Sequence, residues 1–255
     1  MNTNEDPLKF LVISTSGSVG KSTIAREVLA SNMPNAKILQ LEKHNSGNEN
    51  YKIKNTINVV SGTKSQEDIV KLTKEIFINE SLIVDVGVSI VNDFIELLNY
   101  DRELISMFDR IIIPTRPRPK IQNDTITTIN ILLDLGIEPA KILVVANETS
   151  KTEYEEKFKP IIVASKKLKF NISKNLTIME SETILRLENS KQTLVDFIDK
   201  TKDFDWEDAI SSSKSVADKK ENMLLRTYAN AATFIKADMD TVFKEITKPI
   251  KGEGK

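Results

Sequence analysis

The stretch Leu8–Arg26, LKFLVISTSGSVGKSTIAR, decides the fold of this chain. It opens with Leu8–Ser14, an apolar and partly β-branched run that predicts a buried parallel strand. The turn Gly17–Ser22 follows at once, and Thr23–Ala30 predicts a helix. Strand, glycine turn and helix in this order predict a phosphate-binding loop. Glycines let backbone N–H groups approach phosphate oxygens, and a helix N-terminus favours negative charge.

Two side chains of this loop carry the predicted chemistry. We expect Lys21 to reach the β- and γ-phosphates of a nucleotide and the Ser22 hydroxyl to bind Mg²⁺. A strict G-x-x-x-x-G-K-S/T pattern has glycine five residues before Gly20, where this chain has Thr15, so a chance Gly-Lys-Ser turn is the alternative. The predicted nucleotide-binding residues of the loop are Gly17, Ser18, Val19, Gly20, Lys21, Ser22 and Thr23.

Composition limits the functions open to the chain. Its 36 basic and 37 acidic side chains nearly cancel, so no overall field draws it to nucleic acid or anionic lipid. These 255 residues contain no cysteine, which excludes disulfides, iron–sulfur clusters and thiolate zinc sites, and the single His44 argues against a histidine-based metal site. No apolar run approaches the roughly 20 residues of a membrane span. The polar start MNTNEDP is unlike a signal peptide, so we expect a soluble, cytoplasmic protein.

Acidic residues follow two further predicted strands. Glu42 comes directly after the strand Ala36–Leu41, and Asp85 lies near the end of the apolar run Leu82–Gly87. An apolar run that ends in an acidic residue and then glycine is typical of the metal-binding strand of a P-loop enzyme, so Asp85 is predicted to hold Mg²⁺. Ligands gather beyond the carboxyl ends of parallel strands, which makes Glu42 a candidate for the same site. Glu42 is predicted to face the γ-phosphate, its metal or a partner subunit. The alternatives are a solvated carboxylate and an ordinary turn. The predicted catalytic residues are Lys21, Glu42 and Asp85, and the predicted metal ligands are Ser22 and Asp85.

Two later strand ends carry further candidates. Asn147 closes the predicted strand Lys141–Asn147, where its amide could contact the purine base or simply form a turn. The strand Arg110–Pro114 leads into Thr115–Lys120, a proline-rich loop with three cations that we interpret as solvated, with contact to phosphate, DNA or a partner as the alternative. Lysines are also dense over Lys157–Lys174, and nearby glutamates offset them. They indicate a solvated helix face, with weak non-specific DNA contact as the alternative.

The order of elements predicts the fold class. Strands alternate with helices, which is typical of an α/β protein with a doubly wound, mostly parallel sheet of six or seven strands. Other predicted elements are the helices Asn123–Leu135, Thr152–Leu168 and Glu182–Thr201, a short last strand Leu176–Met179 and a mobile loop Asn45–Lys54. We expect a nucleotide-binding P-loop domain over residues 1–203 and a helical C-terminal extension over 204–255. An apolar stripe on the long helix Val216–Ile246 is predicted to pack on that domain, and a homodimer or partner contact is left open.

The loop Ser16–Thr23, SGSVGKST, resembles the deviant phosphate loop K-G-G-x-G-K-S/T of the ParA/MinD-type ATPases, which belong to the SIMIBI class of P-loop NTPases. Within that group it is most similar to the plasmid-stability StbB-type proteins. Those carry S-G-N-V-G-K-S/T-T, then a Met-Pro turn, then a strand that ends in glutamate. This chain has Met33-Pro34 and Leu41-Glu42 in the same places, and Asp85-Val86-Gly87 resembles a further family element.

The resemblance implies an ATP- and Mg²⁺-dependent partition or plasmid-stability ATPase that works as a nucleotide-dependent switch. It also implies a DNA-bound adaptor, or a conjugation or partition protein, as the partner. Where relatives have the signature lysine this chain has Ser16, and where they have a second acidic residue it has His44. These departures predict slow hydrolysis or pure switching. The alternatives are a small-molecule kinase or ligase similar to dethiobiotin synthetase, and a nucleotide-binding adaptor without turnover.

Overall fold

The computed structural model describes residues 7–42, 56–59 and 66–250, with the backbone alone for 56–59 and 66–68. Within this part seven strands form one parallel sheet in the order β3-β2-β4-β1-β5-β6-β7. The strands are β1 Lys9–Val12, β2 Lys37–Leu41, β3 Thr56–Val59, β4 Leu82–Val86, β5 Arg110–Thr115, β6 Ile142–Asn147 and β7 Thr177–Ile178. The predicted α/β fold with a doubly wound parallel sheet is confirmed. The predicted loop Asn45–Lys54 and His44 lie outside the described residues.

Helices cover both faces of the sheet. The first, α1 Lys21–Thr23, continues without a break as a π-helix, Ile24–Ala30. The others are α2 Gln66–Ile78, α3 Val91–Tyr100, α4 Arg102–Ser106, α5 Pro119–Asp134, α6 Tyr154–Lys157, α7 Lys159–Leu168, α8 Glu182–Asn189, α9 Leu194–Thr201, α10 Trp206–Ser211 and α11 Val216–Ile246. A 3₁₀ turn, Pro139–Lys141, leads into β6. No helix in the described ranges is both long enough and apolar enough to cross a bilayer.

The core has two layers because successive strand residues point to opposite faces. In β1 and just beyond it, Leu11 and Ile13 belong to the layer on one side, and Phe10 and Val12 belong to the other. The first layer is closed by helices α2 to α5 and α7. The second is closed by the π-helix and by α8, α9 and α11. The C-terminal helices therefore share a core layer with the helix that follows the phosphate loop.

The long helix α11 ends against the sheet. Met239 and Ile246 are buried in the second core layer, whereas Leu224, near the start of the helix, is 40% exposed. Arg110 of β5 donates hydrogen bonds to the carbonyls of Ile246, at 3.3 Å, and Lys248, at 2.8 Å. These bonds satisfy acceptors that a helix C-terminus leaves open. The C-terminal half of the predicted stripe thus packs on the sheet, and the domain division at residue 203 stays a prediction.

Two helices that the sequence predicts as continuous are each broken in the structure. The first break falls at Phe158, because Pro160 lacks the N–H that would continue the helical hydrogen bonds. The second follows α8, where Lys191 adopts a left-handed φ of 54° and Gln192 donates its N–H to the Leu187 carbonyl, 3.0 Å away. This is the C-terminal geometry that ends many helices.

Candidate functional site

The sheet brings the predicted site residues to one edge. β1, β2, β4 and β6 run parallel, so their carboxyl ends, with the loop after β1, Glu42, Asp85 and Asn147, lie on the same side of the fold. The register places Asp85 beside Val12 on one neighbouring strand and beside Gln40 on the other. This is where open parallel sheets bind ligands.

The loop after β1 is shaped by Gly20. This residue has φ +98°, a left-handed conformation that glycine adopts at little cost. A Cβ at Gly20 would lie 2.3 Å from Nδ2 of Asn147, the last residue of β6, so glycine is also required here to leave room for that side chain. The helix begins directly afterwards, with the Ile24 N–H donating to the Gly20 carbonyl at 2.9 Å. The N–H groups of the first helical turn have no partner within the helix and are suited to an anion.

Lys21 lies over this loop. Its Nζ donates to the Ser16 carbonyl at 3.0 Å, and the residue is only 8% exposed. Burial lowers the pKa of the Lys21 ammonium, and the carboxylates of Asp85 and Glu42 oppose that shift. A buried ammonium beside open backbone N–H groups provides a local positive charge that a phosphate would neutralise.

Ser22 and Asp85 meet below the loop. The Ser22 hydroxyl donates to Oδ2 of Asp85 at 2.7 Å. The carboxylate is buried, its Oδ1 has no hydrogen-bond partner within the described residues, and burial raises the pKa of Asp85. A hydroxyl and one carboxylate with an unused oxygen fit Mg²⁺, which in nucleotide sites binds one or two carboxylates together with phosphate oxygens and water. When bound, the ion would neutralise phosphate charge. The structure therefore brings both predicted metal ligands together.

Glu42 lies against the end of β4. The Ser89 hydroxyl donates to Oε2 of Glu42 at 2.8 Å, and a Cβ at Gly87 would lie 2.2 Å from the same carboxylate. The Gly87 N–H also donates to the Leu41 carbonyl at 2.8 Å, which ties the two strand ends together. Gly87 therefore leaves the space that Glu42 occupies.

Asn147 braces the phosphate loop. Its Nδ2 donates to the Val19 carbonyl at 3.0 Å, and its Oδ1 accepts from the Glu148 N–H at 3.0 Å. The residue lies on the wall of the cavity, where a base could also contact it, so the predicted base contact stays a prediction.

Sequence reasoning missed the residues that hold the start of the loop. Thr15 shares a 2.9 Å hydrogen bond with the Thr128 hydroxyl, and the Ser16 hydroxyl donates to Oδ2 of Asp124 at 2.7 Å. Both partners lie on α5, more than a hundred residues away, and no local pattern marks them. Ser16, at the position of the signature lysine, is thus bonded within its own chain.

A cavity of about 360 Å³ opens over these residues, within the range of ligand sites. Besides the loop 17–23, its lining includes Glu42, Gly87, Arg116, Asn147, Glu148, Ile178, Met179, Glu180, Ser181, Ile184 and Glu188. The charged side chains in the lining are two cations, Lys21 and Arg116, and four carboxylates, and Arg116 is ion-paired with Glu148. The loop after β7 and the helix α8 contribute a wall that the sequence did not predict.

Comparisons with known proteins support the fold. The chain is 15% identical to the cell division protein MinD of Aquifex aeolicus, with a TM-score of 0.53 over 95% of this chain and 98% of that one. MinD of Pyrococcus horikoshii, solved with Mg-ADP, is 12% identical, with a TM-score of 0.51 over 94% and 96%. Apo McdA of Cyanothece is 16% identical, with a TM-score of 0.52 over 74% and 92%. No protein-family model and no curated protein matches the chain. At these identities the likeness shows the fold.

Proposed function

We propose that this chain is an ATP-binding switch of the ParA/MinD type that requires Mg²⁺ and hydrolyses ATP slowly. The observation that carries the proposal is the convergence of Lys21, Ser22 and Asp85 on one glycine loop at the end of β1. Backbone N–H groups, a buried ammonium and a metal-binding pair are the parts that a nucleotide polyphosphate needs. The fold shared with MinD of Pyrococcus horikoshii, solved with Mg-ADP, supports the same ligand.

The charges of the cavity favour the magnesium complex over the free nucleotide. Four carboxylates line the cavity against two cations, one of which is already paired. A polyphosphate without a metal would meet net negative charge, and Mg²⁺ bound by Ser22 and Asp85 would offset it.

Slow hydrolysis follows from what the loop lacks. Ser16 carries no charge and is hydrogen-bonded to Asp124, so it supplies no cation to a phosphate of its own or of a partner subunit. Glu42 is the carboxylate that we propose to orient water, and the Ser89 hydroxyl already donates to one of its oxygens. Electrostatic stabilisation is the main route to phosphoryl transfer, so a loop with one fewer cation should turn over slowly.

The switch would act through the strand ends. Bound phosphate and metal would exchange the Lys21–Ser16 and Ser22–Asp85 hydrogen bonds for contacts to the nucleotide, next to Glu42 and the turn after Gly87. A change in that turn would present or hide a surface for a partner. We propose a DNA-bound adaptor, or a partition or conjugation protein of a mobile DNA element, as the partner, in line with the StbB-type resemblance.

Amide hydrogen exchange tests this proposal. The exchange of residues 82–101 would be compared without nucleotide, with MgADP and with MgATP, together with ATP turnover with and without duplex DNA. We expect MgATP to slow exchange more than MgADP does, and turnover to be slow. The Lys21→Ala variant should show neither effect. Identical exchange in all three states would rule out the switch, and fast turnover that requires a small-molecule acceptor would indicate a kinase instead.

A further inference from the structure

Glu188, on α8, reaches across to the phosphate loop. Its Oε1 accepts a hydrogen bond from the Thr23 hydroxyl at 2.6 Å and lies 3.2 Å from Nη2 of Arg26. Glu188 also lines the cavity beside the loop. One carboxylate oxygen therefore binds both the last residue of the phosphate loop and the helix that follows it.

Arg26 extends this contact into the core. Its Nε donates to Oε1 of Glu27 at 2.6 Å, and the two residues are 7% and 2% exposed. The other oxygen of Glu27 accepts the N–H of Leu194, the first residue of α9, at 2.9 Å. Burial raises the pKa of Glu27, and Arg26 opposes that shift. A buried carboxylate of this kind depends on its partners, so this network is sensitive to a change in any one of them.

The network joins the phosphate loop to the C-terminal helices. It runs from Thr23 through Glu188, Arg26 and Glu27 to the start of α9, and α9 packs against α11 in the same core layer. The Arg26–Glu27 pair lies in the π-helix Ile24–Ala30, a helical form that is frequent at functional sites.

A bound phosphate would compete with Glu188. The Thr23 hydroxyl has one proton to donate, and it now donates to the carboxylate. A phosphate held by the same helical turn would compete for that donor and would bring a second negative charge beside Glu188. Like charges this close repel each other, so the two cannot both occupy their best positions.

We propose that Glu188 acts as a latch, meaning a contact to the phosphate loop that bound nucleotide displaces. Glu188 thereby lowers the affinity of the site for nucleotide and couples nucleotide binding to α8 and α9. This inference rests on the proposed function, because it requires a phosphate at the loop. Without nucleotide, Glu188 holds Thr23 and Arg26. With nucleotide, the carboxylate moves away from Thr23, and α8 and α9 loosen from the phosphate-loop helix.

The test uses the Glu188→Gln variant, which keeps the size of the side chain and an acceptor for Thr23 but removes the charge. The matched control is Glu182→Gln, an exposed carboxylate in the first turn of the same helix. Calorimetry with MgADP and MgATP would give the affinity, and amide exchange of residues 182–201 would report the loosening. We expect Glu188→Gln to bind about five-fold tighter or more, the low end of ordinary coupling between sites, and Glu182→Gln to match the wild type.

The exchange result separates a latch from a structural contact. In the wild type, nucleotide should speed exchange in residues 182–201, and in Glu188→Gln it should change exchange little. Wild-type exchange that nucleotide leaves unchanged overturns the inference even if the variant fails to fold. Nucleotide binding by Glu188→Gln that is unchanged or weaker also overturns the inference. If wild type binds nucleotide and Lys21→Ala does not, the proposed function stands in that case. A wild type that binds no nucleotide overturns both.

Discussion

The replacement of Gly20 by alanine tests how the phosphate loop is held. Gly20 has φ +98°, and a Cβ there would lie 2.3 Å from Nδ2 of Asn147. The Gly20→Ala variant must therefore adopt a left-handed backbone with a side chain and also push Asn147 away from the Val19 carbonyl, its partner at 3.0 Å.

Two contributions set the expected loss of stability in Gly20→Ala. A left-handed conformation costs an L-residue roughly 1–2 kcal/mol, and the loss of the Asn147 hydrogen bond costs about 0.5–1.5 kcal/mol. We therefore expect the free energy of unfolding to fall by about 1.5–3.5 kcal/mol. Gly136→Ala is the control, because Gly136 has φ +89° and a Cβ there would meet nothing within 4 Å. It should show the backbone cost alone, and both variants gain the same entropy benefit from a stiffer unfolded chain.

Equilibrium unfolding in urea measures both variants, and a double-mutant cycle with Asn147→Ala isolates the contact. In the Asn147→Ala background, the extra cost of Gly20→Ala over Gly136→Ala should disappear. Equal losses for the two glycine variants in the wild-type background would refute the reasoning, because they would show that Asn147 does not constrain the loop.

Three further outcomes follow from the structure. Gly87→Ala should cost little stability, because the new Cβ meets the flexible end of Glu42, but single-turnover hydrolysis should fall while calorimetric nucleotide binding remains. Arg110→Ala should lower the free energy of unfolding by about 1.5–3 kcal/mol in urea, since it removes charged donors from the end of α11, and an unchanged midpoint would contradict this. Burial raises the pKa of Tyr154 from 10.0 to about 12, so its contribution to stability is complete below pH 10 and is lost as the pH rises to 12. Tyr154→Phe should remove up to about 3 kcal/mol of that alkaline loss.

The predictable part of the site is local in the sequence. The apolar run, glycine turn and helix around Lys21 are contiguous, so their order alone indicates a phosphate loop. Glu42 was predicted from the rule that parallel strands end at the same edge of a sheet, and Asp85 from an apolar run that ends in an acidic residue and glycine, as in the metal-binding strand of P-loop enzymes. The structure places both beside the loop and adds the reason for Gly87, whose missing Cβ makes room for Glu42.

The remaining contacts depend on how distant segments fold back. Thr23 and Glu188 are 165 residues apart, and Ser16 and Asp124 are 108 residues apart. No periodicity in α8 or α5 distinguishes these carboxylates from solvated ones, because their partners are fixed only when the helices pack on the sheet. The break at Phe158 was missed for a different reason, since the helical pattern on both sides outweighed the local effect of a proline.

The central claim is that the loop around Lys21 binds a magnesium nucleotide. Isothermal titration of wild type and Lys21→Ala with ATP, with Mg²⁺ and then with EDTA, tests this most directly. We expect wild type to bind MgATP, to bind ATP far more weakly in EDTA, and Lys21→Ala to lose most of the affinity. No binding by a folded wild type, or equal binding by wild type and Lys21→Ala, would contradict the claim.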